Sequence, residues 1–178
     1  MILNLGCGNN KIEGTINVDC EESLKPDVVC NFVKGLPYED DEVDEIYLFH
    51  TIEHIEKRLH RELFLEINRV LKPNGLFFLS FPEFTKCVEN WSRNYKGRRE
   101  FWEQTIFGRQ LYESDYHVCI IDSLELKNQL EETGFHSIEY KSEPDEPWNT
   151  IFKCYCGDPY ISYERLLLMD IEKITAKK

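Results

Sequence analysis

The stretch "ILNLGCGNN", residues 2–10, decides how this sequence folds. A short apolar run ends in Gly-Cys-Gly, and polar residues follow it. Gly6 and Gly8 have no Cβ, so the backbone can turn sharply there and approach a ligand closely. In a parallel sheet, ligands bind beyond the carboxyl ends of the strands. The stretch therefore predicts a buried strand over 2–5 that leads directly into a ligand-binding loop.

An acidic residue strengthens this interpretation. Residues 15–18 read as a second, β-branched strand that ends at Asp19, where a carboxylate can accept hydrogen bonds from both hydroxyls of a ribose. Asp19 follows Gly6 by only 13 positions, whereas dinucleotide-binding units place the acid roughly 20 residues on. A full helix hardly fits between the two strands. The sequence thus predicts a shortened first crossover and argues against NAD or FAD.

The remaining periodicities alternate between strands and helices, which predicts an α/β protein with a mostly parallel sheet. Lys72-Pro-Asn-Gly is expected to end the first helix, and Asp122 with Glu125 resembles a capping box. The last two strands are expected to pair antiparallel. Further strands are predicted over 28–30, 43–49, 76–81, 135–140 and 150–156, and helices over 60–71, 123–133 and 160–174.

Composition limits the possible functions. With 178 residues, one domain over 1–178 is expected. The net charge of −12 disfavours binding of long duplex nucleic acid. Seven cysteines without paired CxxC spacing argue against a disulfide framework and a structural zinc site, and Cys154 and Cys156 are expected to be buried thiols on one strand face. No signal peptide or membrane span is evident, so a cytoplasmic location is expected.

Several segments in consistent order resemble one family. "LNLGCGNN" (3–10), "TINVD" (15–19), "CNFVKGLPYEDDEVDEIYLFHTIEHI" (30–55) and "EINRVLKPNGLFFLSFP" (66–82) are similar to class I S-adenosylmethionine-dependent methyltransferases, especially the small type-11 group. A weaker likeness continues through 117–135. The resemblance implies a Rossmann-like methyltransferase sheet and S-adenosylmethionine as cofactor. It assigns to cofactor binding Asn4, Leu5, Gly6, Cys7, Gly8, Asn9, Asp19, Asn31, Phe32 and His50.

The sequence begins at the predicted first strand, so the helix that usually precedes this strand in the family is expected to be absent. Residues 83–117 are the candidate to cover the cofactor, and we expect them to form a lid or substrate-binding insertion. Aromatic and basic residues are interleaved there, which is typical either of a solvated helix with an aromatic inner face or of a local anion site. The predicted substrate-binding residues are Arg93, Arg98, Arg99, Trp102 and Arg109.

Histidines supply the candidate catalytic groups. His50, Glu53 and His54 form H-x-x-E-H, in which helical spacing would place positions four apart on one face, and His117 could return to the same cleft as a general base. Small-RNA 3′-end 2′-O-methyltransferases carry E-x-x-E-H here and a later histidine, and together these bind a divalent metal. His50 stands in the place of the first acid, so no metal is expected. His60 and His136 are expected at the surface.

The sequence predicts an enzyme that transfers a methyl group to an oxygen or nitrogen of a small molecule, with an anionic acceptor as one option. Two alternatives stay open. One is methylation of a nucleic-acid end, at a 2′-oxygen or a base. The other is a non-catalytic subunit that keeps the fold and binds the cofactor for a partner.

Overall fold

The computed structural model describes residues 1–93, 99–111 and 113–157; the helix predicted over 160–174 lies outside the described residues. The described part contains seven strands and four α-helices. The strands are β1 (Ile2–Leu5), β2 (Ile16–Asp19), β3 (Val28–Val29), β4 (Val43–Phe49), β5 (Leu71–Pro82), β6 (Phe135–Ser142) and β7 (Asn149–Cys156). The helices are α1 (His60–Val70), α2 (Phe84–Ser92), α3 (Arg99–Phe107) and α4 (Ser123–Glu132).

All seven strands belong to one sheet with the order β3-β2-β1-β4-β5-β7-β6. Strands β1 to β5 pair parallel, and β7 pairs antiparallel with both β5 and β6. The expected mostly parallel α/β sheet with a C-terminal antiparallel strand is therefore confirmed. From β1 the chain proceeds outward to β2 and β3, and then returns to add β4 on the other side. This reversal of strand order opens a crevice between β1 and β4, the place where such sheets bind ligands.

The connection between β1 and β2 is short. Residues 6–15 form turns and contain no helix, as the spacing predicts. The amides of Gly6 and Cys7 both donate to the carbonyl of Val18, at 2.8 and 3.2 Å. The glycine loop is therefore attached to the neighbouring strand by its own backbone.

Most of the hydrophobic core lies on one face of the sheet, under α1 and α4. Phe64, Ile67 and Val70 of α1 are fully buried, as their helical spacing predicts. Cys154 and Cys156 point into the same core, which confirms their prediction as buried thiols. On the opposite face Tyr47 and Phe49 stack at 5.5 Å and stay partly exposed, along with Phe78. The sheet is thus covered unequally by the described residues.

Three local predictions have different outcomes. The cap at Asp122 is confirmed, because its Oδ1 accepts a hydrogen bond from the Glu125 amide at 2.9 Å. Lys72-Pro-Asn-Gly follows the end of α1, as predicted, and forms a bulge within β5, since Val43 pairs with Leu71 and Glu45 pairs with Leu76. The helix ends one residue earlier than predicted, and the strand begins at once.

The two histidines expected at the surface differ. His136 is exposed, as predicted. His60 is only 1% exposed, so its prediction was wrong. A turn at Ile52–His54 and the following residues fold back over the start of α1, and the Ile55 carbonyl lies 2.9 Å from His60 Nε2. That contact satisfies the ring inside the core, and burial lowers the pKa of His60.

Among the described residues, no helix combines the length and apolar character needed to cross a bilayer.

Candidate active site

A cavity of about 920 Å³ opens at the carboxyl edge of the sheet, over the crevice between β1 and β4. This volume is within the usual range of small-molecule sites, roughly 300–1,000 Å³. One side is formed by the loops that follow β1, β2 and β3. The other side is formed by α3, the residues after it, and the β6–β7 loop. We call these two sides the first wall and the second wall. The first wall contains the residues predicted to bind the cofactor, and the second is the candidate for binding the acceptor.

Asp19 anchors the first wall. Its Oδ2 accepts a hydrogen bond from the Gly8 amide at 2.8 Å, and its Oδ1 accepts one from the Glu21 amide at 2.9 Å. The residue is 8% exposed and lines the cavity. A carboxylate has about four acceptor positions, so about two remain for a ligand. Asp19 can thus fix the glycine loop and still accept hydrogen bonds from a pair of hydroxyls.

The two glycines of the loop have different roles. Both have positive φ, +65° at Gly6 and +50° at Gly8. A Cβ on Gly6 would lie 2.5 Å from Thr51 Oγ1, and closer still to its Cγ2, because the loop packs against the residues after β4. A Cβ on Gly8 would meet nothing within 4 Å. Gly6 is therefore required by packing within the protein, while Gly8 borders open cavity.

Asn4 is buried at the end of β1 and fixes the loop from below. Its Nδ2 donates to Asn17 Oδ1 at 2.9 Å and to the Asn10 carbonyl at 3.2 Å. Leu5, predicted to line the cofactor, does not line the cavity: strand alternation turns its side chain into the core, where it is fully buried. The other residues assigned to the cofactor line the cavity, namely Asn4, Gly6, Cys7, Gly8, Asn9, Asp19, Asn31, Phe32 and His50.

His50 follows β4 in a left-handed conformation, with φ +49°. Its amide donates to the Ser80 carbonyl at 2.9 Å, and its side chain is 47% exposed at the cavity. Desolvation lowers the pKa of His50, but the carboxylates of Glu53, Glu143 and Glu146 outweigh this and raise the pKa above its ordinary value. Backbone strain of this kind is uncommon for residues other than glycine and is found preferentially at functional sites.

Glu53, His54 and His117 meet at the floor of the cavity. The Val118 amide donates to the Glu53 carbonyl at 2.9 Å, and this backbone contact brings His117 back to the end of β4. His117 Nε2 then lies 3.9 Å from Glu53 Oε1, and the rings of His54 and His117 are perpendicular with centroids 4.7 Å apart. The return of His117 to this cleft is as predicted.

The predicted geometry of H-x-x-E-H was wrong in one respect. The motif does not lie on an α-helix, because Ile52–His54 forms a single tight 3₁₀ turn. His50 lies on the other side of Glu53, with its Nδ1 3.7 Å from Glu53 Oε1, and its further acidic neighbours are Glu143 and Glu146. Glu53 therefore stands between one histidine on one side and two on the other.

The predicted anion site is only partly present in the described structure. Arg109 lines the cavity, but its guanidinium forms an ion pair with Asp115 at 3.1 Å. Arg99 points to solvent and pairs with Glu103 within α3, and Arg93 is exposed after α2; neither lines the cavity. Arg98 lies outside the described residues.

Trp102 is also not at the cavity surface. It is 2% exposed and packs edge-on against Trp148, with ring centroids 5.3 Å apart. Cys87 of α2 belongs to the same buried cluster. Trp102 thus holds α3 and α2 against the β6–β7 loop, whereas its neighbour Phe101 lines the cavity.

Several lining residues were missed from the sequence. The most important are Thr51, Phe101, Gln104, Glu146, Trp148 and Asn149. The last three belong to the loop before β7 or to the start of that strand, and only its richness in proline and acidic residues distinguished this segment. Its position becomes predictable once β7 is known to run antiparallel to β5, because Asn149 then pairs with Pro82 at the carboxyl edge.

Comparison with known proteins agrees with this geometry. Residues 13–79 match a family model for a methyltransferase domain, of the type-11 group. No curated protein matches the chain significantly in sequence.

Solved structures share the fold at low sequence identity. A SAM-dependent methyltransferase from Archaeoglobus fulgidus superimposes with a TM-score of 0.62 at 16% identity, covering 86% of this chain and 85% of its own. A Thermotoga maritima SAM-dependent methyltransferase, described as a possible histamine N-methyltransferase, gives 0.60 at 15% identity, covering 87% and 81%. Phosphoethanolamine N-methyltransferase 2 of Haemonchus contortus, in complex with S-adenosyl-L-methionine, gives 0.57 at 12% identity, covering 88% and 48%. The chain therefore has the class I methyltransferase fold, and its residues 13–79 are similar to the methyltransferase domain of the type-11 group.

Proposed function

We propose that this protein transfers a methyl group from S-adenosylmethionine to an oxygen or nitrogen of a small-molecule acceptor. The observation that carries the proposal is the single cavity with two walls. Asp19, whose carboxylate can accept hydrogen bonds from ribose hydroxyls, lies on the first wall, and the polar cluster of Glu53, His54 and His117 lies on the floor. Methyl transfer needs donor and acceptor held side by side in one enclosed space.

The residues of the first wall fit the cofactor. Asp19 would accept hydrogen bonds from the ribose hydroxyls with its remaining acceptor positions. The open space beside Gly8 would admit the methionine part, and Asn31 and Phe32 would contact the adenine through an amide and an aromatic ring. When bound, S-adenosylmethionine supplies an activated methyl group on a sulfonium. The protein itself orients the two reactants and excludes water.

The second wall would bind and deprotonate the acceptor. Burial lowers the pKa of His117, the nearby His54 and His50 act in the same direction, and Glu53 opposes them. A ring kept neutral near pH 7 can accept a proton from an attacking hydroxyl, or from an ammonium group that attacks only after it has lost this proton. Glu53, Asp115 and Glu146 line this part of the cavity, against Arg109 alone among the basic residues of the described second wall. This balance favours a neutral or cationic acceptor over the anionic one that the sequence suggested.

A cofactor titration tests the first half of the proposal. Calorimetry with S-adenosylhomocysteine should show saturable binding to the unmodified protein. Asp19→Ala should weaken it by about 1.5–3 kcal/mol, or roughly tenfold to 150-fold, since two hydroxyls lose a charged acceptor. Glu13→Ala is the matched control, because Glu13 is exposed in the same loop region and does not line the cavity. Equal losses of S-adenosylhomocysteine affinity in both variants would show that Asp19 does not bind the cofactor.

Turnover tests the second half. The protein with radiolabelled S-adenosylmethionine should methylate members of a panel of small amines and alcohols. Labelling of RNA or DNA ends instead, with binding that weakens steeply with salt, would support the nucleic-acid alternative. Tight cofactor binding without transfer to any member of these panels would support a non-catalytic subunit.

A further inference from the structure

The cavity floor holds a buried carboxylate that lacks hydrogen-bond donors. Glu53 is 2% exposed, and its Oε2 has no hydrogen-bond partner among the described residues. The rings of His50 and His117 lie 3.7 and 3.9 Å from its Oε1, both too far for hydrogen bonds. Burying a carboxylate without donors is costly. Glu53 therefore points to a ligand that brings hydrogen-bond donors to the floor of the cavity.

A second unpartnered acceptor lines the same cavity. Asn149 is 1% exposed, and its Oδ1 has no described partner, whereas its Nδ2 donates to Glu146 Oε2 at 2.6 Å. Within the described ranges, one further buried side-chain atom lacks a partner, Nδ2 of Asn68, and that residue does not line the cavity. Both unpartnered groups at the cavity are thus acceptors. A ligand rich in N–H or O–H groups satisfies them, and a carboxylate or phosphate does not.

The charges on this side of the cavity favour a cation. Arg109 and Asp115 form an ion pair, so their charges compensate each other. The carboxylates of Glu53 and Glu146 then remain. His50 lies between them, with its ring 3.7 Å from Glu53 and grouped with Glu146 within 4.8 Å. Even a protonated His50 carries one charge against these two carboxylates, so this side of the cavity stays negative.

We propose that the methyl acceptor is an amine, which binds as its ammonium ion and donates a hydrogen bond to Glu53. An ammonium group has up to three N–H donors and a positive charge, whereas a hydroxyl has one donor and no charge. The sulfonium of the cofactor is positive but has no hydrogen to donate. The rings of Phe101 and Trp148 line the same side, and aromatic rings attract organic cations. This inference rests on the proposed function, because it names the acceptor class of that site.

The methyl transfer balances for such an acceptor. An ammonium nitrogen has no lone pair, so it first loses a proton, which a ring nitrogen of His117 can accept. The neutral amine then forms the new N–C bond with its lone pair, while the electron pair of the broken S–C bond remains on sulfur. The products are a methylated ammonium ion and neutral S-adenosylhomocysteine, and the proton passes from His117 to solvent. Glu53 thus faces a cation both before and after transfer.

Paired acceptors test the proposal on the full chain. Radiolabelled S-adenosylmethionine is supplied with benzylamine, phenethylamine or pentylamine, and with benzyl alcohol, phenethyl alcohol or pentanol, which carry a hydroxyl in place of the amino group. In kcat/KM the amines should exceed the matched alcohols by about tenfold or more, because Glu53 forms a charge-assisted hydrogen bond with the ammonium. Transfer to the alcohols alone would overturn this inference and leave the proposed function standing. Transfer to no member of either set would overturn both.

Calorimetry of the same compounds with the S-adenosylhomocysteine complex isolates the ammonium contact. The isosteric Glu53→Gln should lower the ratio of amine to alcohol affinity by about tenfold or more, and Glu146→Gln should lower it by about threefold. Glu103→Gln is the matched control and should keep the ratio within about twofold, because Glu103 pairs with Arg99 on the solvent side of α3 and does not line the cavity. An equal loss of affinity for amines and alcohols in Glu53→Gln would indicate a structural role and overturn the contact.

The cofactor affinities of every variant complete the test. S-adenosylhomocysteine binding reports a folded first wall. If Glu53 instead faced the sulfonium, Glu53→Gln would weaken S-adenosylmethionine binding relative to S-adenosylhomocysteine and leave the preference for amines unchanged, which would overturn the proposal. Failure of the unmodified protein to bind S-adenosylhomocysteine would refute the proposed function. Amine binding that still depended on Glu53 in that protein would leave the ammonium site standing.

Discussion

The two walls of the cavity are built by different means. The first wall lies within residues 4–34, and main-chain hydrogen bonds between adjacent strand ends hold it, such as those from Gly6 and Cys7 to the Val18 carbonyl. The second wall combines residues from 53–54, 101–109, 114–117 and 146–149. The backbone hydrogen bond from Val118 to Glu53 attaches His117, and side-chain packing holds most of the rest, above all the contact between Trp102 and Trp148. A wall fixed by its backbone tolerates changes in side chains, whereas a wall fixed by side chains depends on a few of them. We therefore expect substitutions in the two walls to affect the stability of the protein and its ligand binding differently.

The largest effect is expected from Trp102→Ala, which removes the centre of the second wall. A fully buried tryptophan replaced by alanine costs about 3–5 kcal/mol of unfolding free energy, measurable by urea denaturation. Affinity for S-adenosylhomocysteine should persist in the protein that remains folded, because the first wall does not use this contact. Trp91→Ala is the matched control, since Trp91 of α2 is 47% exposed, and it should change stability by about 0.5 kcal/mol or less. If the tryptophan change instead left stability intact and abolished substrate binding, the original prediction of a substrate contact would be right.

A smaller loss of unfolding free energy is expected from Gly6→Ala. The new methyl group overlaps Thr51 and adds left-handed strain, so we expect a loss of about 2–4 kcal/mol in unfolding free energy. Gly8→Ala carries only the strain, about 1–2 kcal/mol. Denaturation curves for both variants give the ranking, and the reverse order would mean that the loop is not packed against Thr51.

A larger substitution at Gly8 tests the first wall through ligand binding rather than through stability. Gly8→Val should abolish S-adenosylhomocysteine binding while the fold persists, because the larger side chain fills space that borders Asp19 and the cavity. Calorimetry on protein with a native circular dichroism spectrum tests this. Unchanged affinity would mean that the cofactor does not approach the glycine loop.

The second wall is also expected to respond more to ligands than the first. Hydrogen exchange over 99–111 should slow by about tenfold when S-adenosylhomocysteine and an acceptor bind together, which corresponds to about 1.4 kcal/mol of local stabilisation. Residues 99–111 come after β5 and α2 in the chain and cover the cavity on the side opposite the first wall. Protection confined to residues 2–54 would show that the segment is a fixed wall and not a lid.

The smallest effect is expected at His50, where the two walls meet. His50→Gly should raise the unfolding free energy by about 0.5 kcal/mol, because relief of the left-handed conformation slightly exceeds the entropy cost of glycine. Turnover should fall in the same variant. A destabilised His50→Gly protein would mean that the ring contributes more packing than its 47% exposure suggests.

The difference between the walls also explains what could be predicted from the sequence. The first wall is local: each residue follows a strand, so strand periodicity and the glycines located Asp19 and the loop. Leu5 was misplaced because the resemblance names a position in the motif, while strand alternation decides where its side chain points. The return of His117 was predicted, but the contact between Trp102 and Trp148 joins distant segments and leaves no periodic signal. For the same reason His60 was expected in solvent: nothing near it in sequence shows that the turn at 52–54 folds over it.

The reversed direction of β7 has a consequence for how such a protein changes over generations. Because this strand runs against its neighbours, the loop before it emerges beside the cavity, and Glu146, Trp148 and Asn149 line the cavity on the side away from the glycine loop. Insertions or deletions between residues 143 and 148 would alter the shape and charge of this side of the cavity, where we propose that the acceptor binds, without displacing any parallel strand. Acceptor preference can therefore diverge in this loop while the cofactor site is inherited unchanged.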